Sequence, residues 1–196
     1  MLTASATGLT SATTTPAFTI TAVPAIGDSY QGGIIFYIFG SSDPGYVAGQ
    51  THGLIAATVN QSTVNGIIWA TGQFGSPNTG NCVTTVPAPG ATAEGIGTGK
   101  ANTYAIIAQN GDGSTYAAGL ARAYTGGGYT DWYLPSKDEL NKLYLNRDAV
   151  GGFAVDYYWS STEIKEYSAW GQSFESVDQN EYNKLIRLRV RAVRSF

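Results

Sequence analysis

Positive charge is almost missing from the first half of this chain: no lysine or arginine precedes Lys100, and the acids before it are Asp28, Asp43 and Glu94. Charged residues make up 13% of the whole, about half the usual share for a soluble domain. There is one cysteine, Cys82, and one histidine, His52. That count excludes a disulfide framework within the chain, and it leaves too few ligands for a Cys/His zinc site. Cys82 reads as a small buried residue. No apolar run is long enough to span a membrane, so membrane insertion is not expected. Nor does the N-terminus show a basic region followed by an apolar stretch, so an export signal is expected upstream of Met1. The net charge of −3 disfavours nucleic acid as a general partner. The last thirteen residues nevertheless carry Lys184, Arg187, Arg189, Arg191 and Arg194 with no acid, which allows a local basic patch.

What the chain does have is apolar bulk and turn formers. Hydrophobic residues are 43%, enough for a core, with 25 glycines and 13 tyrosines. This balance points to a β- and loop-rich extracellular protein rather than a cytosolic enzyme.

Residues 1–24 are dominated by Thr, Ser and Ala, with Phe18 and Ile20 alternating against Thr19 and Thr21. They read as a stiff linker or as the last strand of a preceding Ig-like repeat, ended by Pro24. The ligand-binding domain is expected over 25–196. Gly32 to Gly40 (GGIIFYIFG) reads as a buried strand, and Leu54 to Val59 and Gly66 to Ala70 as two more. Residues 71–98 read as a long loop. Helices are expected over Lys100 to Gln109 and Thr115 to Tyr124, the second stopped by Gly126-Gly127-Gly128. The clearest local signal is LPSKDELNKLY: Ser136 is spaced to cap a helix, Glu139 to complete the capping box, and Leu140, Leu143 and Tyr144 to form its buried face. Trp132–Leu134, Tyr157–Ser160 and Ala169–Phe174 read as strands. A strand over Leu185–Val193 closes the chain, with Ile186, Leu188 and Val190 facing one way and Arg187, Arg189 and Arg191 the other. Strands at both ends with helices between predict an α+β fold of about three helices, a mixed or antiparallel sheet and long loops, its two ends paired.

Several blocks recur in one known family: GDSYQGGIIFYI (27–38), HGLIAA (52–57), IGTGKANTYAI (96–106), GYTDWYLPSKDEL (128–140), YYWSSTE (157–163), AW (169–170) and RVRAVR (189–194). Over about residues 25–196 the chain resembles the C-terminal domain family of the Legionella collagen-like adhesin, whose relatives occur as surface domains in Bacteroidetes-type proteins. The resemblance implies a C-type-lectin-like fold, display at the cell surface, attachment to a surface glycan or protein receptor, and in some relatives a homotrimer. Calcium lectins of the broader fold use Glu-Pro-Asn or Gln-Pro-Asp with Trp-Asn-Asp, and none of these occurs here. The formylglycine-generating enzymes that share the fold need a cysteine pair. No cofactor is expected.

Single residues that invite chemistry have plainer readings. His52 has no nucleophile elbow beside it and reads as a polar residue at a strand start. Asn110, Asp112 and Ser114 open like a calcium loop, but Ala121 stands where the bidentate acid belongs, so NGDGS reads as a turn. Gly95, Gly97 and Gly99 (GIGTG) lack the preceding buried strand of a dinucleotide site. Trp132 and Trp159 read as core.

Binding is expected in 164–188, between the stereotyped YWSSTE and RVRAVR blocks. The candidate contact residues are Ile164, Lys165, Glu166, Tyr167, Trp170, Gln172, Asn180, Tyr182, Leu185, Ile186 and Arg187. Tyr and Arg dominate binding hot spots, and apolar residues in a solvated loop suit a contact surface. The function this supports is a non-catalytic adhesin or receptor-binding module. Two alternatives fit the same pattern: a retroelement-diversified receptor-binding protein, with Ile164, Leu185 and Ile186 as changeable positions, and a structural trimerising fibre tip.

Overall fold

The computed structural model describes residues 23–71 and 90–196. The expected linker strand at Phe18 and Ile20, and Cys82, lie outside them. Among the described residues the elements are β1 (Ser29–Tyr30), β2 (Gly33–Ile38), β3 (Gly53–Ala56), α1 (Gly99–Asn110), α2 (Ala117–Ala123), α3 (Lys137–Leu145), α4 (Arg147–Val150), β4 (Tyr157–Lys165), β5 (Ser168–Ser173), β6 (Gln179–Asn183) and β7 (Val193–Ser195). They build a mixed α+β domain with two antiparallel sheets, ordered β1-β2-β3-β7 and β4-β5-β6.

The first sheet joins the two ends of the domain, as expected: β3 pairs with β7 through Leu54↔Ser195, Ile55↔Arg194 and Ala56↔Val193. Its apolar residues divide between two cores. Ile35 and Ile55 join Trp69, Trp132, Trp159 and the buried face of α2, while Phe36 and Leu54 join Leu140, Leu143, Tyr158 and Phe174. Trp132 and Trp159 are both fully buried.

Three expected strands take another form. Gly66–Ala70 meets the C-terminal segment at the isolated bridge Ile67↔Leu188 and through Trp69 N to Lys184 O, and Trp132–Leu134 meets it at the isolated bridge Tyr133↔Val193. Leu185–Val193 is not a continuous strand. Its backbone donors are met by side chains and loops: Val190 N donates to Ser62 Oγ at 3.0 Å, and Ala192 N to Gln61 Oε1 at 2.5 Å. A regular ladder is unnecessary where buried amides find other partners.

The expected alternation of that segment is corrected too. Ile186 is 41% exposed rather than inward with Leu188 and Val190, and Arg191 is fully buried rather than outward. Arg191 is held by carbonyls and an amide: its guanidinium donates to Ala57 O at 2.8 Å, Gly152 O at 2.5 Å and Asn60 Oδ1 at 2.9 Å. Burial pulls its pKa down to about 10. Arg194 is bidentate on Asp131, at 2.7 and 3.1 Å. Burial pushes Asp131 up, but the Arg194 bonds prevail and hold it below its ordinary value. With Lys184 also buried and Arg189 bonded to Asp156 at 2.7 Å, the basic patch allowed by the sequence does not form; of those five cations only Arg187 is exposed.

Candidate functional site

The frame of the site begins at α3. Its capping box is complete: Ser136 Oγ accepts from Glu139 N at 3.3 Å, and Glu139 Oε2 accepts from Ser136 N at 2.8 Å. The same carboxylate reaches back to Gly97 N at 2.8 Å, and Ser136 Oγ donates to Gly95 O at 2.9 Å. GIGTG therefore wraps a buried carboxylate rather than a phosphate. Gly99 has to be glycine for space, because a Cβ there would lie 2.6 Å from Ser136 N and against the Glu139 carboxylate. Desolvation pushes Glu139 up to about 7, against the backbone donors that favour its charged form.

The second sheet stands on this frame. Thr162 Oγ1, on β4, accepts from Lys137 N and donates to Ala93 O, both at 3.0 Å. Under the β4–β5 turn lies a fully buried ion pair, Lys184 with Glu163. Lys184 Nζ also donates to Glu166 O at 3.0 Å and sits 4.6 Å from the centre of the Trp69 ring. Desolvation lowers its pKa even with Glu163 beside it. The backbone locks the same corner: Lys184 N donates to Tyr167 O at 3.0 Å and Trp69 N to Lys184 O at 2.9 Å.

The expected contact residues fall into three places. Lys165, Glu166 and Tyr167 form the exposed β4–β5 turn, with Ile164 half-buried just before it. Lys165 bonds Glu181 at 2.7 Å and lies 5.1 Å from the centre of the Tyr167 ring.

Directly opposed residues share a sheet face, so the pair Trp170↔Glu181 defines one face. There half-buried Trp170 lies under the Lys137 ammonium, 3.8 Å from the ring centre. Lys137 in turn bonds Glu94 at 2.8 Å.

The pairs Ala169↔Tyr182 and Gly171↔Asn180 define the other face. Exposed Asn180 and half-buried Tyr182 lie on it, with Tyr157 5.4 Å from Tyr182 between ring centres. Tyr182 also packs edge-on against Trp159 at 6.3 Å. Gly171 makes room for this, since a Cβ would sit 2.8 Å from the Tyr182 ring and 2.9 Å from Leu188. The chain then turns through half-buried Leu185 to exposed Ile186 and Arg187.

Gln172 is the exception. It is fully buried, and its amide donates to Val177 O at 2.9 Å, holding the β5–β6 connection from inside. Its burial removes it from any contact surface.

Sequence reasoning missed β6, α4, the Lys184–Glu163 pair and the reach of Glu139 to Gly97. The last had a signal, a capping-box glutamate downstream of a glycine-rich stretch; the ion pair had none, because it joins residues 21 apart through hairpin register. The other chemical candidates take structural places. His52 lies with Nδ1 3.1 Å from Phe196 O and Nε2 3.0 Å from Gln50 Oε1. Asn110 bonds Ile106 O and Thr71. Among the described residues no three His, Cys, Asp or Glu side chains gather to hold a metal, and no helix is long and apolar enough to cross a membrane.

The domain's two ends share one sheet, and its second sheet carries a mixed aromatic and charged surface on a buried polar frame. The model of the Lcl C-terminal domain family matches residues 58–194, and the chain belongs to that family. Membership suggests an adhesin-like surface module. No curated protein matches the chain.

Proposed function

We propose that the chain is an extracellular, non-catalytic binding domain of C-type-lectin-like fold that presents the β4–β5 turn and the 180–187 stretch to a surface glycan or protein receptor. One observation carries this reading. At the β4–β5 turn and over 180–187, aromatic, aliphatic and charged side chains other than Lys184 are exposed or half-exposed, while Lys184 and Glu163 beneath them are buried and paired. Tyr167 (42% exposed) and Ile186 (41%) supply area to desolvate, and Lys165 and Arg187 supply orientation. The pairing of β3 with the last strand, β7, across a helical middle supports the lectin-like assignment. The place of the one histidine, His52, against Phe196 O and the Gln50 side chain supports the non-catalytic one. The test is a glycan array together with binding to a panel of cells. Saturable capture of a glycan or a cell type is the expected result, and no binding at millimolar glycan or to any cell contradicts it.

A second reading has its own support. Ile186 is an exposed aliphatic and Ile164 is half-buried just before the β4–β5 turn, positions that suit diversification by a retroelement, whereas Leu185 is half-buried against the core. A neighbouring reverse transcriptase, with a template copy differing only at adenines, is the expected genomic finding. A locus without either removes this reading.

A further inference from the structure

Arg187 opens a second opportunity beside that surface. It edges a cavity of about 390 Å³, a size within the range of small-ligand sites. The lining carries hydroxyls from two stretches distant in sequence, Ser62 and Thr63, and Ser114 and Thr115. Ile67 and Leu120 also line it, and Arg187 is the one charged residue lining it. Ser62 Oγ accepts from Val190 N, which leaves its own proton to donate. Arg187 is exposed, with no acid paired to it among the described residues, unlike Arg189 and Arg194.

We infer that this cavity binds an acidic sugar, its carboxylate on Arg187 and its ring hydroxyls on the Ser/Thr walls. The planar guanidinium offers two parallel N–H groups that match the two oxygens of a planar carboxylate. The hydroxyl walls both donate and accept, as a polyhydroxylated ring requires. Ile67 and Leu120 offer apolar surface to its C–H groups. An unopposed cation in a cavity without an acid disfavours a cationic guest and leaves a neutral one with less to gain.

The inference rests on the binding-module reading and narrows it to one site and one ligand class. The probes are glucuronate and N-acetylneuraminate, titrated into the full chain by NMR. Glucose, glucose 6-sulfate and a glutamate peptide serve as comparators, and a cell-binding assay runs in parallel. The expected result is saturable binding of a sugar acid, with shifts at Ser114, Thr115 and Arg187. R187Q should weaken it about ten-fold or more, R187K less, and the melting temperature should hold. Three results overturn it: no saturable binding of either acid, equal binding by R187Q, or equal binding of the sulfate ester or the peptide. If cell binding persists while the sugar acids fail, this site falls and the binding-module reading stands.

Discussion

At the scale of single residues, the structure spends its charge inside. Lys184 and Glu163 are both fully buried, and removing one leaves the other without its counter-charge in a dry site. K184M should therefore cost about 3–5 kcal/mol in denaturant unfolding, and K184M/E163L less than K184M alone. A double variant as unstable as the sum of the singles would show that the pair does not act as a unit. Glu139 makes a pH prediction. Burial raises it from 4.5 in the unfolded chain to about 7 in the fold. The native state therefore holds a proton that the unfolded state has released, and stability from this group is full below its unfolded value. It is lost as pH rises through about 7. The wild type should lose stability relative to E139Q between about pH 5 and about pH 8, by on the order of 1–3 kcal/mol. Parallel pH profiles for the two proteins would contradict the assignment.

At the scale of elements, α3 was the most legible. Ser136 and Glu139 lie three apart before an apolar stripe, and both capping bonds form. S136A should cost about 0.5–2 kcal/mol by thermal melting. The upper half is expected, because Ser136 Oγ also donates to Gly95 O. An unchanged melting temperature refutes the cap's role. The first two helices and β2 were legible from spacing and from a glycine-bounded apolar run. β6 was not: Gln179–Asn183 reads QNEYN, without alternation, and is a strand because β5 supplies its partner. The Leu185–Val193 stretch misled in the opposite direction. Its alternation of aliphatics and arginines imitates a surface strand, but the arginines find carbonyls and Asp131 inside the fold. Periodicity records which residues differ, not which of them a tertiary partner will bury.

At the scale of the whole molecule, the late cluster of cations allowed a local basic patch, and the fold turns most of it inward. What remains outside is a mixed surface from Ile164 to Arg187 whose parts differ in their anchorage. Tyr182 and Leu185 are half-buried against the core around Trp159, so their alanine variants should lose stability as well as binding. Tyr167, Ile186 and Arg187 are exposed, and their substitutions should change stability by no more than about 0.5 kcal/mol each. That separation supplies the most direct measurement. Y167A/I186A/R187A and W159A should be compared with the wild type for capture of whichever glycan or cell the array identifies, with each value normalised to folded protein. The triple variant is predicted to melt within a few degrees of the wild type while losing about thirty-fold or more in affinity, and W159A to unfold. A triple variant that binds as the wild type does, or loses binding only in step with unfolding, contradicts the placement of the contact surface.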